Sequence, residues 1–161
     1  MTRGRLLAAA VAVAAGGLVW ALVARREVPA EELIRRKAVA MADAAERKDV
    51  GLVMKQLSER FRTEDGMSRD EVRGYLAAEI LRGEWVRVFT ANLEVTVTSA
   101  STADFRGVYI FGRSQAKLLK DLARESVIGS YEITARVEKE GDGEWRFVSA
   151  SWREADPSAF F

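Results

Sequence analysis

Between Leu33 and Ala45 the apolar positions Leu33, Ile34, Ala38, Met41, Ala42 and Ala45 recur at helical spacing, predicting a helix that runs to about residue 48. Pro29 suits the start of this helix. Glu31 and Glu32 fall in its first turn, where unpaired N–H groups favour negative charge. Asp49 reads as the N-cap of a second, short helix carrying Val50, Val53, Met54 and Leu57, and Phe61 follows. Ser68-Arg69-Asp70-Glu71 has the form of a capping box, with Ser at N-cap and Glu at N3. It opens a third helix with Val72, Leu76 and Ile80 on one face, and Gly83 stands where a C′ glycine belongs.

From Glu84 the period changes to two. Leu93, Val95 and Val97 alternate with Glu94, Thr96 and Thr98, and Ser99-Ala100-Ser101 makes a turn. Ala103 to Phe111 predicts a second strand. Tyr131, Ile133, Ala135 and Val137, alternating with polar residues, predict a third. Gly141-Asp142-Gly143 is a hairpin signal, and Trp145 to Trp152 forms the closing strand. Three helices ahead of four strands paired as successive antiparallel neighbours make the fold class α+β. Ser114–Ile128, flanked by Gly112 and Gly129, carries Leu118, Leu119 and Leu122 on a short helix. It reads either as a lid hinged at the glycines or as a connection packed on the domain edge.

One stretch has no polar period at all. Leu6–Ala24 is an uncharged run of 19 residues, bracketed by Arg3 and Arg5 before it and by Arg25 and Arg26 after it. As a helix it would reach about 28 Å, close to the hydrocarbon thickness of a bilayer. The apolar region of a cleavable signal is shorter, and Arg25-Arg26 argues against processing, so the run reads as an uncleaved transmembrane anchor. Residues 1–5 are then a short flank, 25–30 a linker, 31–154 the domain and 155–161 a flexible tail ending in Phe160-Phe161. The expected place is a bacterial inner membrane, single-pass, with the domain on the periplasmic side; cleavage would release it to the periplasm. Arg35-Arg36-Lys37 either touches anionic headgroups or forms the solvated face of the first helix.

Composition narrows the chemistry. The chain has 161 residues, no cysteine and no histidine. Disulfides, thiolate metal sites, thiol nucleophiles, a lipoprotein anchor, histidine triads and histidine-bound zinc are therefore excluded. The four arginines flanking the apolar run leave 21 basic residues against 24 acidic ones in the remainder, a net charge of −3. That is no footprint for nucleic acid. Asp142-Gly143 lacks the spaced acidic ligands of a calcium loop, so no metal or cofactor is expected.

The order of elements resembles the nuclear transport factor 2-like superfamily. Ala44 to Val50 is similar to its break between the first two helices, and Ser68 to Leu76 to the start of its third helix. Thr102-Ala103-Asp104 is similar to the entry to its middle strand, and Lys139 to Trp152 to its closing hairpin. The resemblance covers about Glu31–Arg153. It implies a cone in which a curved antiparallel sheet wraps round the helices, and a homodimer formed through the open sheet face. Enzymes of the superfamily use acids, tyrosines or a histidine inside the cone. Without histidine, the ketosteroid-isomerase type remains, which needs a carboxylate base, a Tyr and a neutral acid; Asp104, Glu132, Tyr75 and Tyr109 have the residue types. One membrane helix followed by this fold is also the layout of an inner-membrane component of type IV secretion. Fold membership by itself transfers no function.

Two readings of the candidate residues stay open. Tyr75, Trp85, Phe105, Tyr109, Tyr131 and Trp152 line a ligand pocket at the mouth of the cone, or they are core between sheet and helices. Asp104 and Glu132 are pocket acids, or they stand on the outward faces of alternating strands. The expected function is a membrane-anchored, non-enzymatic module that binds a protein partner, itself or a small apolar ligand. The alternatives are an isomerase, dehydratase or hydrolase working by carboxylate and Tyr acid–base chemistry, and a periplasmic carrier of a lipid-like molecule.

Overall fold

The computed structural model describes residues 28–156, apart from Glu84, Val86 and 123–125. The expected anchor Leu6–Ala24 and the pair Phe160-Phe161 lie outside the described residues. Among the described residues no helix is long and apolar enough to cross a membrane.

Helix α1 (Ala30–Glu46) follows Pro29 and buries Ile34, Ala38, Ala42 and Ala44. The Asp49 carboxylate accepts a hydrogen bond from the Leu52 N–H (3.0 Å) and so caps α2 (Val50–Lys55). Before α3 (Arg69–Arg82) the capping box closes, the Ser68 N–H donating to Glu71 Oε2 at 2.6 Å. Gly83 is not a left-handed cap: positive φ among the described glycines is confined to Gly66 and Gly143. Gly83 is small for another reason, because a Cβ there would overlap the Trp85 ring and lie 2.7 Å from the Glu79 carbonyl oxygen.

Among the described residues the sheet has five strands, one more than the sequence pattern predicts. The addition is β1 (Leu57–Thr63), between α2 and α3, so the helices are not consecutive and Leu57 belongs to a strand rather than to the second helix. Apolar spacing misleads here, since Val53, Leu57 and Phe61 continue at intervals of four. What decides the conformation is pairing: β1 runs parallel to β5, with Leu57 opposite Phe147. The remaining strands are β2 (Arg87–Ser99), β3 (Thr102–Gly112), β4 (Val127–Lys139) and β5 (Trp145–Glu154). They pair antiparallel as neighbours, and the sheet order is β1-β5-β4-β3-β2.

Bulges bend this sheet into a trough. At Asn92, with φ 51°, the register of β2 against β3 slips between Ala91 and Glu94. The extra residue changes parity. Val88 packs into the main core ahead of the bulge, and the odd-numbered Leu93, Val95 and Val97 do so after it. A similar slip opposite Arg136 and Val137 moves the inner face of β5 from Trp145 and Phe147 to Ala150. The trough holds α1 against β2. The Arg35 Nε–H donates to the Leu93 carbonyl (3.3 Å), and Glu46 accepts from Arg87 Nη1 (2.6 Å) and from the Val88 N–H (3.0 Å).

The outer face of the sheet is largely polar. Its apolar part, Val108 and Ile110, is covered by Leu122 from the β3–β4 connection. Among its described residues that connection contains one short 3₁₀ turn, Leu119–Asp121, and Leu118 is exposed. Leu119 and Leu122 pack there, on the side of the sheet away from the helices, whereas Ile128 at the segment's end lines the cavity.

Candidate binding cavity

The inner face of the trough and the three helices enclose an open, mostly apolar cavity of about 340 Å³. Its deep end is aromatic. Phe105 from β3 and Phe147 from β5 meet edge to face at 5.5 Å, beside Phe61 of β1. Helices α1 and α2 contribute Met41, Ala45, Val50 and Val53. From α3 come Val72, Tyr75, Leu76 and Glu79, positions three and four apart that form a single helix face. Alanines leave the room: Ala45, Ala135 and Ala150 stand at wall positions where a larger side chain would project into the space. At the open end Tyr75, Ile128 and Trp152 are exposed to 49%, 38% and 41%.

Each aromatic singled out in the sequence, Tyr75, Trp85, Phe105, Tyr109, Tyr131 and Trp152, lines this cavity. They play different parts. The buried Tyr109 hydroxyl donates to the Ala38 carbonyl (3.2 Å), and burial pushes its phenol well above the ordinary range. It is a tie between β3 and α1. The Trp85 indole N–H donates to the Ala45 carbonyl (3.1 Å), and its ring meets Phe111 edge-on at 5.4 Å; Phe111 in turn meets Tyr131 at 6.0 Å. Lys48, at φ 62°, places its ammonium 3.3 Å from the centre of the Trp85 ring and donates to the Trp85 carbonyl (3.2 Å). The left-handed backbone of Lys48 thus serves to pin one wall. Among the described residues, the hydroxyls of Tyr75 and Tyr131 have no protein hydrogen-bond partner. Burial, and then the Glu79 charge, push the Tyr75 phenol up.

The two acid candidates face the other way. Asp104 and Glu132 alternate with the inward Phe105, Tyr131 and Ile133, so strand parity puts them outside. Asp104 is exposed on the polar face, opposite Arg136. Glu132 accepts from Arg106 (2.7 Å) and pairs with Arg153 (2.6 Å); the Arg106 hydrogen bond, ahead of Arg153, holds its carboxyl below the usual range. Neither shares the cavity with Tyr75 or Tyr109. The carboxylate on the cavity wall is Glu79, paired with Arg82 of its own helix at 2.6 Å. The sequence pattern does not single it out by type; only its place one turn beyond Tyr75, on the face defined by Val72 and Leu76, points to it. Among the described residues, no cluster of three or more acidic side chains is arranged to hold a metal ion.

No protein-family model matches this chain, and no curated protein matches it. Solved structures do. A protein of unknown function with a cystatin-like fold from Nostoc punctiforme has 18% identity and a TM-score of 0.61, over 82% of this chain and 96% of that one. A nuclear transport factor 2-like protein of unknown function from Pseudomonas putida has 14% identity and a TM-score of 0.61, over 76% and 84%. A ketosteroid isomerase-like protein from Erwinia carotovora atroseptica has 20% identity and a TM-score of 0.52, over 78% and 96%. At these identities the likeness is one of fold: this chain folds as nuclear transport factor 2-like, ketosteroid isomerase-like and cystatin-like proteins do.

Proposed function

We propose that this domain is a binding module for a small apolar molecule, held at a membrane by Leu6–Ala24, with the domain outside the cytoplasm. The observation that carries the reading is the open cavity of about 340 Å³ with its apolar walls. Its size falls within the roughly 300–1,000 Å³ of small-molecule sites. The arrangement of polar groups supports binding over chemistry. The deepest hydroxyl, that of Tyr109, is spent on the Ala38 carbonyl, and Asp104 and Glu132 are on the opposite side of the sheet. The polar outer face, with its apolar part already covered by Leu122, supports a ligand ahead of a protein partner or a second copy. For the tether, the support is the length of the uncharged run and the arginines on both flanks.

One observation favours an enzyme as the second reading. Glu79 and Tyr75 are neighbours on the cavity wall and have the residue types for proton transfer. Both stand at the mouth, and Glu79 is paired with Arg82, which suits recognition better than a buried proton relay.

The test is native mass spectrometry of the full-length protein, carried from its own membrane in lipid nanodiscs and ejected gently. A stoichiometric small molecule retained by the protein, and lost when Ala135 is enlarged, is the expected result. A protein that carries no small molecule and takes up none of a panel of alkyl and aryl compounds refutes the binding reading. Turnover of a bound compound would move the assignment to the enzyme.

A further inference from the structure

The charge pattern of the cavity narrows the class of ligand. Among the described residues, the lining contains one charged side chain, the Glu79 carboxylate, and no lysine or arginine. Glu79 stands at the open end, its side chain about a third exposed at 34%. Around it are aromatic faces. Tyr75 lies one turn before it on the same face of α3, Tyr131 of β4 lines the same cavity, and Trp152 of β5 is exposed at its open end. A carboxylate among aromatic rings, with an apolar chamber behind, matches a ligand that is apolar along its body and cationic at its head. The head is attracted by the acid and by the negative faces of the rings. The body is driven into the chamber by loss of contact with water.

We infer that the cavity takes an amphiphilic ammonium compound, its hydrocarbon part inside and its cationic head at Glu79, Tyr75, Tyr131 and Trp152. This rests on the binding role proposed above and adds the charge of the guest. Arg82 is the competitor in the free protein. It pairs with Glu79 at 2.6 Å, but as an i,i+3 pair with the arginine 71% exposed it is a weak, screened contact that a better-placed cation displaces. Fatty-acid carboxylates meet the opposite situation: their head would lie beside Glu79 with no lining cation to receive it. The volume suits a single chain or ring system rather than a two-chain lipid.

Three probes with the same body and different heads test this on the full chain in nanodiscs: octyltrimethylammonium, octanol and octanoate. Binding is read from tryptophan emission, since Trp85 and Trp152 line the cavity, with protein-free nanodiscs subtracting partition into lipid. The expected order is ammonium, then alcohol, then carboxylate, with the ammonium about tenfold tighter than the alcohol. Glu79→Gln should remove the preference, bringing the ammonium and alcohol affinities together. Arg82→Gln, which frees Glu79, should strengthen the ammonium further. Equal affinity for ammonium and alcohol overturns the inference and leaves the cavity reading standing. So does a preference for octanoate that disappears in Arg82→Gln. Failure of all three probes to bind refutes the cavity reading itself. An unchanged urea midpoint in both variants confirms that head-group preference, not folding, has been altered.

Discussion

Ala135→Leu separates an open cavity from a filled core by the sign of its effect. Ala135 lies on β4 between Phe105 of β3 and Ala150 of β5, which oppose it in register, and all three line the cavity. Leucine adds three carbons. At about 0.8 kcal/mol per buried CH₂ their transfer from water contributes up to roughly 2.4 kcal/mol. Fixing the leucine rotamer costs about 0.5–1 kcal/mol, so the net expectation is a gain of about 1.5 kcal/mol. Were the space already filled, the same carbons would force neighbours aside and cost roughly 1–3 kcal/mol. Urea unfolding distinguishes the two. With a denaturant slope of about 1–3 kcal/mol per molar, the midpoint should rise by roughly 0.5–1.5 M at unchanged slope. Octanol binding should weaken in the same variant, because the leucine occupies part of the chamber. A lower midpoint, or undiminished octanol binding, refutes the description of the cavity.

Trp145 is buried in the main core cluster, and Trp145→Ala should cost about 3–5 kcal/mol, measured as the change in unfolding free energy; a midpoint matching the parent would show that this ring carries no core. Gly83→Ala should destabilise by roughly 1–3 kcal/mol and shift tryptophan emission, because the Glu79 carbonyl cannot yield and the Trp85 ring must; unaltered emission would argue against the contact. The hairpin should respond to acid. Arg146 hydrogen bonds, with help from the Glu144 N–H, lower the Asp142 carboxyl from 3.8 to about 2. A depressed folded value stabilises the native state above the unfolded value and is lost as pH falls from about 4 to about 2. Asp142→Asn should therefore flatten the pH dependence of the unfolding midpoint in that window, and an unchanged slope would refute the pairing.

Local signals in the sequence account for most of the fold. The capping box at Ser68, the cap at Asp49 and the alternation in Leu93–Val97 each act within a few residues, and each is legible without knowledge of the rest. Strand β1 is different. Leu57-Ser58-Glu59-Arg60-Phe61 has helix-like spacing, and only pairing with a strand about ninety residues later makes it extended. The cavity was partly legible. Its aromatics announce themselves by type, but the space between them depends on Ala45, Ala135 and Ala150, which in sequence look like ordinary small residues. Asp104 and Glu132 attracted notice as acids on aromatic strands, yet parity with Phe105 and Tyr131 already sends them outward. Glu79 escaped for the converse reason: a charge on a helix reads as solvated surface unless the positions at Val72, Tyr75 and Leu76 are followed one turn further.

The parallel pairing of β1 with β5 also governs when the domain can form. Helices α1 and α2 and strand β1 emerge first, but the inner face of Leu57 and Phe61 and the open edge of β1 find their partners only when Phe147 to Ala150 have been made. Contacts this distant close slowly, since the chain entropy of a long loop must be overcome before any pairing compensates it. A nascent chain lacking its last strand therefore has no partner for β1. The β2-β3-β4 meander can pair before β5 exists, so the edge that waits for the end of synthesis is that of β1, whose partner is the last strand made.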